Sequence, residues 1–373
     1  MRQRYQKWIE DWETRLTERD TNRVVRPFDW GLEWIHDFPG VNGSAPRRGA
    51  DNAAIEQFIH ELNDKIVAHS DEFFSYATPT DFRVERRELK LYATGIDKDE
   101  RNAAFNAEGK TGQFLRFTSP VKTPHPANDL ANARWFPARG RRAVVVMPQW
   151  NSDAESHNTL CRGFNLLGIA ALRLSMPYHD VRMPAELSRA DYAVSANVGR
   201  TISAARQAVL DVRSCLDWLA AQGYRHFGVV GTSLGSCYAF LASAHDPRLR
   251  VNVFNHASMH FADVVWTGQS TRHIKAGLES ITDLDRLRQA WLAISPAVYF
   301  DKFRRWPKKS LMIYGKYDMT FLPEFSHQAA AAFHDHGLDC KIVELPCGHY
   351  TTGEAPYKFM DGWQMMSFLR TAW

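Results

Sequence analysis

A serine between two glycines is the residue of this 373-residue chain that most clearly indicates chemistry. Ser233 lies in the pattern Gly231-Thr-Ser233-Leu-Gly235, after the apolar stretch Phe227–Val230 and before a run of helix-forming residues. A serine at a tight bend between a strand and a helix needs small neighbours, because the chain and the helix pass closely there. Such a bend exposes the hydroxyl. The pattern therefore predicts a nucleophile that attacks acyl carbonyl groups.

A serine hydroxyl is a weak nucleophile until a base removes its proton and an acid orients that base. Two candidates follow predicted strands: Asp318 comes after Leu311–Tyr314, and His349 comes after Lys341–Leu345. Ligand sites of open parallel sheets form at the carboxyl ends of strands. We therefore expect Asp318 to be the acid and His349 to be the base. The alternatives are that Asp318 only caps a turn, that Asp301 is the acid, and that His349 is a surface histidine.

Strand-like and helix-like stretches alternate along the carboxyl-terminal two-thirds of the chain. Besides the three strands named above, apolar runs predict strands at Phe114–Phe117, Arg134–Phe136, Ala143–Met147, Ile169–Leu174 and Arg250–Phe254. Helical periodicity predicts helices at Ser156–Leu166, Asn197–Ala221, Thr282–Leu292, Pro323–His336 and Pro356–Phe368. Such alternation of apolar strands and helices predicts an α/β fold with a mostly parallel central sheet flanked by helices.

The three motifs, in the order Ser, Asp, His, resemble those of the α/β-hydrolase superfamily. The likeness covers about residues 114–373: G-T-S-L-G resembles the nucleophile elbow, Y-G-K-Y-D the acid loop, and C-G-H the histidine loop before the last helix. The resemblance implies an α/β-hydrolase fold in which Ser233 is the nucleophile, Asp318 the acid and His349 the general base.

The same resemblance implies an oxyanion hole made of two backbone N–H groups. One belongs to the residue after the nucleophile, here Leu234. The other comes from the loop after the strand Ala143–Met147, where Trp150 is the expected donor and Gln149 is the alternative. This loop reads M-P-Q-W-N and departs from the His-Gly that many members carry before the donor.

More than fifty residues separate the strand ending at Phe254 from the strand starting at Leu311. A connection of that length is usually functional, and the resemblance implies that about 257–300 form a cap over the serine. Its aromatic side chains suggest an apolar pocket; the alternative is that they only pack the cap against the sheet. Side chains at strand ends or in the cap are the expected pocket lining: Gln149, Tyr178, His256 and Trp266. For the loop containing Tyr178, a structural turn stabilised by two prolines is favoured over pocket lining.

Residues 1–110 are predicted to form a mainly helical amino-terminal extension, and 111–373 the catalytic domain with its cap. Two amphipathic helices are indicated by apolar residues that share one helical face, Tyr5, Trp8, Ile9, Trp12 and Leu16 in the first and Ile55, Phe58, Ile59, Leu62 and Ile66 in the second. We expect the first helix to dock on the catalytic domain of its own chain. The alternatives are a membrane surface and a partner subunit.

No cofactor or metal is expected. His256 and His260 have the i, i+4 spacing of a helix, but the residues between them lack the glutamate of a zinc-hydrolase helix. The chain has no glycine-rich phosphate loop of the P-loop type. Its five cysteines are scattered and form no C-x-x-C, which favours reduced thiols over a disulfide framework.

The composition is that of an ordinary globular protein. Hydrophobic residues make up 45% and charged residues 24%, and the net charge of +4 is too small and too interspersed for a nucleic-acid partner. No apolar stretch reaches the roughly eighteen residues that suggest a membrane span. The charged amino terminus lacks the pattern of a signal peptide, so a cytoplasmic location is the expectation. The oligomeric state is left open.

These observations together favour a cofactor-independent serine hydrolase with a small-molecule acyl substrate. A carboxylic ester is the expected substrate, cleaved through an acyl-enzyme on Ser233. An amide or peptide hydrolase and an acyltransferase use the same three residues and are the enzymatic alternatives. The alternative outside catalysis is a binding module that keeps the hydrolase fold but is silent; three intact catalytic residues argue against it.

Overall fold

One sheet dominates the computed structural model, which describes residues 2–41, 45–46, 49–91 and 98–373. Within these residues nine strands hydrogen-bond in the order β1-β2-β3-β5-β4-β6-β7-β8-β9. Their bounds are β1 Arg83–Glu88, β2 Thr111–Thr118, β3 Leu130–Phe136, β4 Arg142–Met147, β5 Ile169–Leu174, β6 His226–Thr232, β7 Leu249–Asn255, β8 Lys309–Gly315 and β9 Asp339–Leu345. Strands β4 to β9 pair in parallel, whereas β1, β2 and β3 form an antiparallel edge. The predicted α/β fold with a mostly parallel sheet is confirmed.

Fifteen α-helices in the described residues connect and cover these strands. Their bounds are α1 Arg2–Glu18, α2 Leu32–Ile35, α3 Asn52–Ala68, α4 Ser70–Phe73, α5 Lys98–Asn106, α6 Pro126–Asp129, α7 Asn158–Leu166, α8 Val198–Ala221, α9 Leu234–His245, α10 Phe261–Thr267, α11 Arg272–Leu278, α12 Leu284–Ala290, α13 Phe300–Phe303, α14 Pro323–Asp335 and α15 Tyr357–Thr371. None of the helices within the described ranges is long and apolar enough to cross a membrane.

The central strands of the sheet are buried on both faces, and the side chains of successive strand residues point to opposite sides. In β4, Val145 belongs to the apolar core that contains α8, α9 and α14, whereas Val144 and Val146 belong to a second core that contains α7 and α15. Ile9 of α1 lies fully buried in this second core, beside Leu369 of α15. The prediction that the first helix docks on its own chain is therefore confirmed.

The strand β1 lies inside the range predicted to be mainly helical. It reads R-V-E-R-R-E, is exposed along nearly all its length, and pairs antiparallel with β2 at the sheet edge. Charged side chains protect such an edge from pairing with other chains. Because most residues of β1 are charged, its sequence lacks the alternation of apolar and polar residues that predicts a strand. The sheet thus begins within the predicted extension, and the division of the chain near residue 110 stays a prediction.

Four neighbouring strands carry the predicted catalytic residues and one further histidine at their carboxyl ends. Ser233 follows β6, His256 follows β7, Asp318 follows β8 by three residues, and His349 follows β9 by four. Parallel strands bring these ends to the same edge of the sheet. Between β7 and β8, the helices α10 to α13 form the segment predicted as a cap, and its predicted helix at Thr282–Leu292 is present as α12.

Candidate active site

Ser233 occupies a strained bend between β6 and α9. Its backbone φ is 56° and ψ is −120°, a region that a side-chain-bearing residue rarely adopts. A Cβ on Gly231 would overlap the backbone of Gly235, and a Cβ on Gly235 would overlap the carbonyl oxygen of Met147. The Ser233 N–H donates to the Asn255 carbonyl oxygen at 2.7 Å, which ties the bend to β7. The two glycines are therefore steric requirements of the bend, as predicted.

The structure brings the three predicted catalytic side chains into one hydrogen-bonded chain. Ser233 Oγ lies 3.0 Å from His349 Nε2, and His349 Nδ1 lies 2.9 Å from Asp318 Oδ2. With the proton on Nδ1 donated to the carboxylate, the Nε2 lone pair faces the serine hydroxyl. That tautomer is the one that a general base needs in order to accept the serine proton.

Asp318 is held as an ionised acceptor. Its Oδ1 accepts the backbone N–H groups of Thr320 and Phe321, each at 2.7 Å, and its side chain is 1% exposed. Burial acts to raise the pKa of Asp318, but the charge of His349 and the contacts with His349 and His256 lower it well below the usual range. A carboxylate held in this way orients the imidazole and stabilises its protonated form.

The pKa of His349 is shifted in the opposite direction. Burial acts to lower its pKa, but the charge of Asp318, the hydrogen bond to Asp318 and the charge of Glu13 raise the pKa above its ordinary value. The ring of Phe321 stacks on the imidazole with centroids 5.3 Å apart and planes within 2°. The imidazole is thereby fixed between an aromatic face and a carboxylate.

A largely apolar cleft opens beside Ser233. The cap supplies much of its wall, because residues of α10 and of the turns on either side face the serine. Its lining residues are Trp150, Val194, Ser233, Leu234, Cys237, Ser258, His260, Phe261, Val264, Val265, Ser270, Thr271, Pro296, Thr320 and Phe321. The segment predicted as a cap thus contributes residues to the wall of this cleft, and its role as a cap stays a prediction.

No protein-family model matches the chain, and no curated protein matches it in sequence. Solved structures match it in shape. The acetyl xylan esterase from Paenibacillus sp. R4 superposes with a TM-score of 0.55 at 11% identity over 88% of this chain and 98% of that chain. The chain has the α/β-hydrolase fold. An acylaminoacyl peptidase from Pyrococcus horikoshii superposes with a TM-score of 0.54 at 11% identity over 69% of this chain and 41% of that chain. At such identities the likeness shows the fold alone.

Within this α/β-hydrolase fold, the predicted oxyanion-hole residues border the serine. Leu234 and Trp150 both line the cleft, and the start of α9 packs against the loop that leaves β4. The N–H of Asn151 already donates to His179 Nε2 at 3.0 Å, and Pro148 has no N–H. The amides of Gln149 and Trp150 are thus the two of this loop that stay candidates for the second donor.

Four residues predicted as possible pocket lining are not among the side chains that border the cleft. Gln149 lies in the β4 exit loop, and Trp266 of α10 is half-buried beside the ammonium group of Lys275. Tyr178 is fully buried, and its backbone N–H donates to Asn128 Oδ1 at 2.9 Å, so its loop is a structural turn. On α10, the turns of the helix place Val264 and Val265 toward the cleft instead of Trp266.

His256, the fourth of these residues, lies against the acid and not in the cleft. It is 2% exposed, its Nδ1 lies 2.8 Å from Asp318 Oδ2 but off the line of a hydrogen bond, and its ring centroid is 4.4 Å from that of His349. Burial and the neighbouring His349 lower the pKa of His256, and Asp318 only partly offsets them. A neutral imidazole at this position packs the acid into place. Its position directly after β7 was the signal in the sequence that pointed to the site.

His256, Asp318 and His349 have ligand-type atoms within 4.8 Å of one another, the grouping that a metal site requires. The contacts favour a different interpretation. Both Asp318 oxygens already accept hydrogen bonds. Both ring nitrogens of His349 are also engaged, because Nδ1 faces Asp318 and Nε2 faces Ser233. We interpret the group as a hydrogen-bonded pair, His349 and Asp318, with His256 packed against the acid.

Proposed function

We propose that this protein is a serine hydrolase that cleaves carboxylic esters of small molecules. The observation that carries the proposal is the continuous chain from Ser233 through His349 to Asp318 at the floor of the cleft. The distances between nucleophile, base and acid fit acyl transfer, and the lowered pKa of Asp318 favours the carboxylate that orients the base. The α/β-hydrolase fold, which hosts an esterase and a peptidase among its solved members, supports a hydrolase in general terms.

In the proposed reaction, His349 Nε2 takes the proton of Ser233 Oγ while that oxygen forms a bond to the ester carbonyl carbon. The N–H groups of Leu234 and of the β4 exit loop stabilise the negative oxygen that results. The ester C–O bond then breaks, and the alcohol leaves with the proton from His349. A water molecule, deprotonated by His349, releases the carboxylic acid from the acyl-enzyme and restores the serine.

The cleft supports an ester with an apolar acyl or alcohol group. Its walls near the serine are aliphatic and aromatic, with Leu234, Phe261, Val265 and Phe321 among them. Apolar walls favour burial of hydrocarbon groups at roughly 25 cal/mol per Å². Polar side chains also line the cleft, but most of its exposed wall is apolar, and we therefore propose esters ahead of peptides.

Replacement of the nucleophile tests the proposal. The variant Ser233→Ala is expected to lose at least about 10⁴-fold in kcat for p-nitrophenyl butyrate and to lose labelling by a fluorophosphonate probe. Ser258→Ala, a serine that also lines the cleft, is the matched control and is expected to keep both. Hydrolysis by Ser233→Ala at the wild-type rate would exclude Ser233 as the nucleophile.

A paired substrate test separates the ester from the alternatives. We expect the enzyme to hydrolyse p-nitrophenyl butyrate with kcat/KM at least 100-fold above that for butyryl p-nitroanilide. A reversed preference would favour an amide hydrolase. Formation of a butyryl ester when an alcohol is added, at the expense of butyrate, would favour an acyltransferase.

We also propose that the protein works in a reducing compartment such as the cytoplasm. All five cysteines are free, and three of them, Cys161, Cys215 and Cys347, are buried as reduced thiols. Burial raises the pKa of Cys161 to about 12, which suppresses its reactivity. Fractionation of the producing cells with a specific antibody tests the location.

A further inference from the structure

We infer that Glu13, on the amino-terminal helix α1, is a positioning residue for the base His349. This inference rests on the proposed function, because it assigns a role in serine hydrolysis to a side chain outside the Ser-His-Asp chain. Glu13 is fully buried, although a carboxylate is among the least favourable groups to bury. Its burial therefore requires an explanation in terms of what it contacts.

The Glu13 carboxylate binds the backbone of the loop that carries His349. Its Oε2 accepts the N–H of Tyr350 at 3.0 Å, and its Oε1 accepts the N–H of Thr351 at 2.6 Å. These are the two residues that follow the base directly. A carboxylate that accepts two neighbouring N–H groups, one on each oxygen, fixes the peptide planes on the carboxyl side of His349.

Gly348 makes this approach possible from the other side of the base. A Cβ at Gly348 would overlap the side chain of Glu13, so any larger residue would exclude the carboxylate. The Gly348 N–H donates to Thr351 Oγ1 at 2.7 Å, which closes the loop into a tight turn around the carboxylate. The glycine of the C-G-H motif thus has a specific partner in the amino-terminal helix.

The helix itself is held on the catalytic domain at several points. Tyr5 Oη donates to the Pro346 carbonyl oxygen at 2.6 Å, just before the histidine loop. Gln269 of the cap donates to Thr14 Oγ1 at 3.1 Å, and the Gln269 N–H donates to the Met319 carbonyl oxygen at 2.8 Å, next to Asp318. The helix therefore links the histidine loop, the acid loop and the cap.

The charge of Glu13 also acts on the base. Burial raises the pKa of the Glu13 carboxyl, while the N–H groups of Thr351 and Tyr350 favour its ionised form. The titratable groups that face His349 are Asp318, His256, Glu13 and Tyr350, and of these Asp318 and Glu13 raise the pKa of His349. Removal of the Glu13 charge is therefore expected to lower that pKa. A side chain that only anchored the helix, with no electrostatic effect on the base, would leave the pKa of His349 unchanged.

Three variants of α1 test the inference. Glu13→Gln removes the charge and presents an amide NH₂ to a backbone N–H, whereas Glu13→Asp keeps the charge but withdraws it by one methylene. Glu18→Gln, at an exposed position of the same helix, is the control. We expect Glu13→Gln to lower kcat for p-nitrophenyl butyrate about 10- to 100-fold with KM changed less than threefold, because a displaced base loses alignment. The acid limb of the pH profile of kcat/KM is expected to move to lower pH in Glu13→Gln.

Glu13→Asp is expected to lower kcat less than Glu13→Gln does and to keep the acid limb of the wild type. Fluorophosphonate labelling rates, normalised to the folded fraction from thermal unfolding, provide a second measure that follows the base and not substrate binding. Wild-type labelling rates in both Glu13 variants, or a loss in kcat fully accounted for by unfolded protein, would overturn the inference. An unreactive wild-type protein would refute the proposed function instead, which keeps the two failures distinct.

Discussion

In the proposed mechanism, the contact between Asp318 and His349 sets the pH range in which Ser233 reacts. The base must be neutral to accept the serine proton. Burial lowers the pKa of His349, but the charge and hydrogen bond of Asp318 outweigh burial and raise the pKa above 6.5. The protonated, inactive form of the base therefore persists to a higher pH than in an ordinary histidine.

We expect kcat/KM for p-nitrophenyl butyrate to fall on the acid side with an apparent pKa above 6.5. Asp318→Asn removes the charge and the correct acceptor for Nδ1, and is expected to lower kcat about 10⁴-fold and to move the limb to lower pH. A pH series of kcat/KM on both proteins is the measurement. Asp335→Asn, at an exposed helix end, is the control. An acid limb below pH 6 in the wild type would contradict the assigned contact.

His256 shows how the orientation of a single side chain escapes sequence patterns. It was expected as possible pocket lining, and its Nδ1 lies 2.8 Å from Asp318 Oδ2. Its side chain nevertheless turns toward the acid and away from the cleft. The direction follows from its positive φ of 61°, a local backbone state that no periodicity in the sequence reveals.

The elbow between β6 and α9 is the element that presents the Ser233 side chain to the cleft. Gly235 packs its Cα against the backbone of the β4 exit loop, and Ser236 Oγ bonds the carbonyl oxygens of Ser233 and His256. The atoms nearest to Gly235 belong to the backbone of Met147 and Pro148, and backbone atoms cannot move aside as a flexible side chain can. The geometry of the elbow therefore depends on a glycine at position 235.

Gly235→Ala tests this dependence. The added methyl would overlap the carbonyl oxygens of Met147 and Pro148, and we expect a loss of about 1–3 kcal/mol in the free energy of unfolding together with slower fluorophosphonate labelling. Gly362→Ala in α15 is the matched control, since a Cβ there meets no atom within 4 Å. Chemical denaturation measures stability. A Gly235→Ala protein with wild-type stability and labelling would show that the elbow has more room than the structure gives it.

The cap helix α10 is expected to select the acyl chain. Val264 lines the cleft, so Val264→Trp fills part of its volume while the serine and its partners stay in place. We expect kcat/KM for p-nitrophenyl octanoate to fall at least tenfold and that for the acetate to change less than threefold, as overfilling a packed site costs about 1–3 kcal/mol. Val24→Trp, at a half-exposed position, is the control. An equal effect on both esters would place the acyl chain elsewhere.

At the scale of the whole molecule, the last helix is coupled to the elbow through a buried carboxyl group. Asp361 Oδ2 of α15 accepts the side-chain amide of Asn255 at 3.0 Å, and the Asn255 carbonyl oxygen accepts the Ser233 N–H. Burial raises the pKa of Asp361 to about 7, and the hydrogen bond from Asn255 offsets it only in part. The folded protein thus holds a proton there that the unfolded chain releases above about pH 4.

This difference predicts the direction of a stability change with pH. Because the folded state binds the proton more tightly, Asp361 contributes stability at low pH that is lost as the pH rises toward 7. We expect the melting temperature of Asp361→Asn minus that of the wild type to be a few degrees larger at pH 8 than at pH 5. Asp335→Asn is again the exposed control. A constant difference between the two pH values would contradict a protonated Asp361.

The fold was predictable because its central strands contain short runs of buried apolar residues. Strands such as β5 and β8 are buried on both faces, and burial of that kind leaves a continuous apolar run in the sequence. The edge strand β1 lacks that signal, since its stability comes from pairing with β2 and not from burial. The same reason explains why the exact start of the sheet was not predicted.

By itself the sequence determined the α/β fold class and singled out Ser233, Asp318 and His349, whose side chains meet in the structure, because tight turns and strand ends leave local patterns of residue types. Only the tertiary structure decided what surrounds them. The contact of Glu13 with the His349 loop joins residues separated by more than three hundred positions. The turn of His256 toward Asp318 and the choice of cleft residues on α10 likewise depend on side-chain packing between distant segments. Such packing follows from the complete fold, which no local pattern contains.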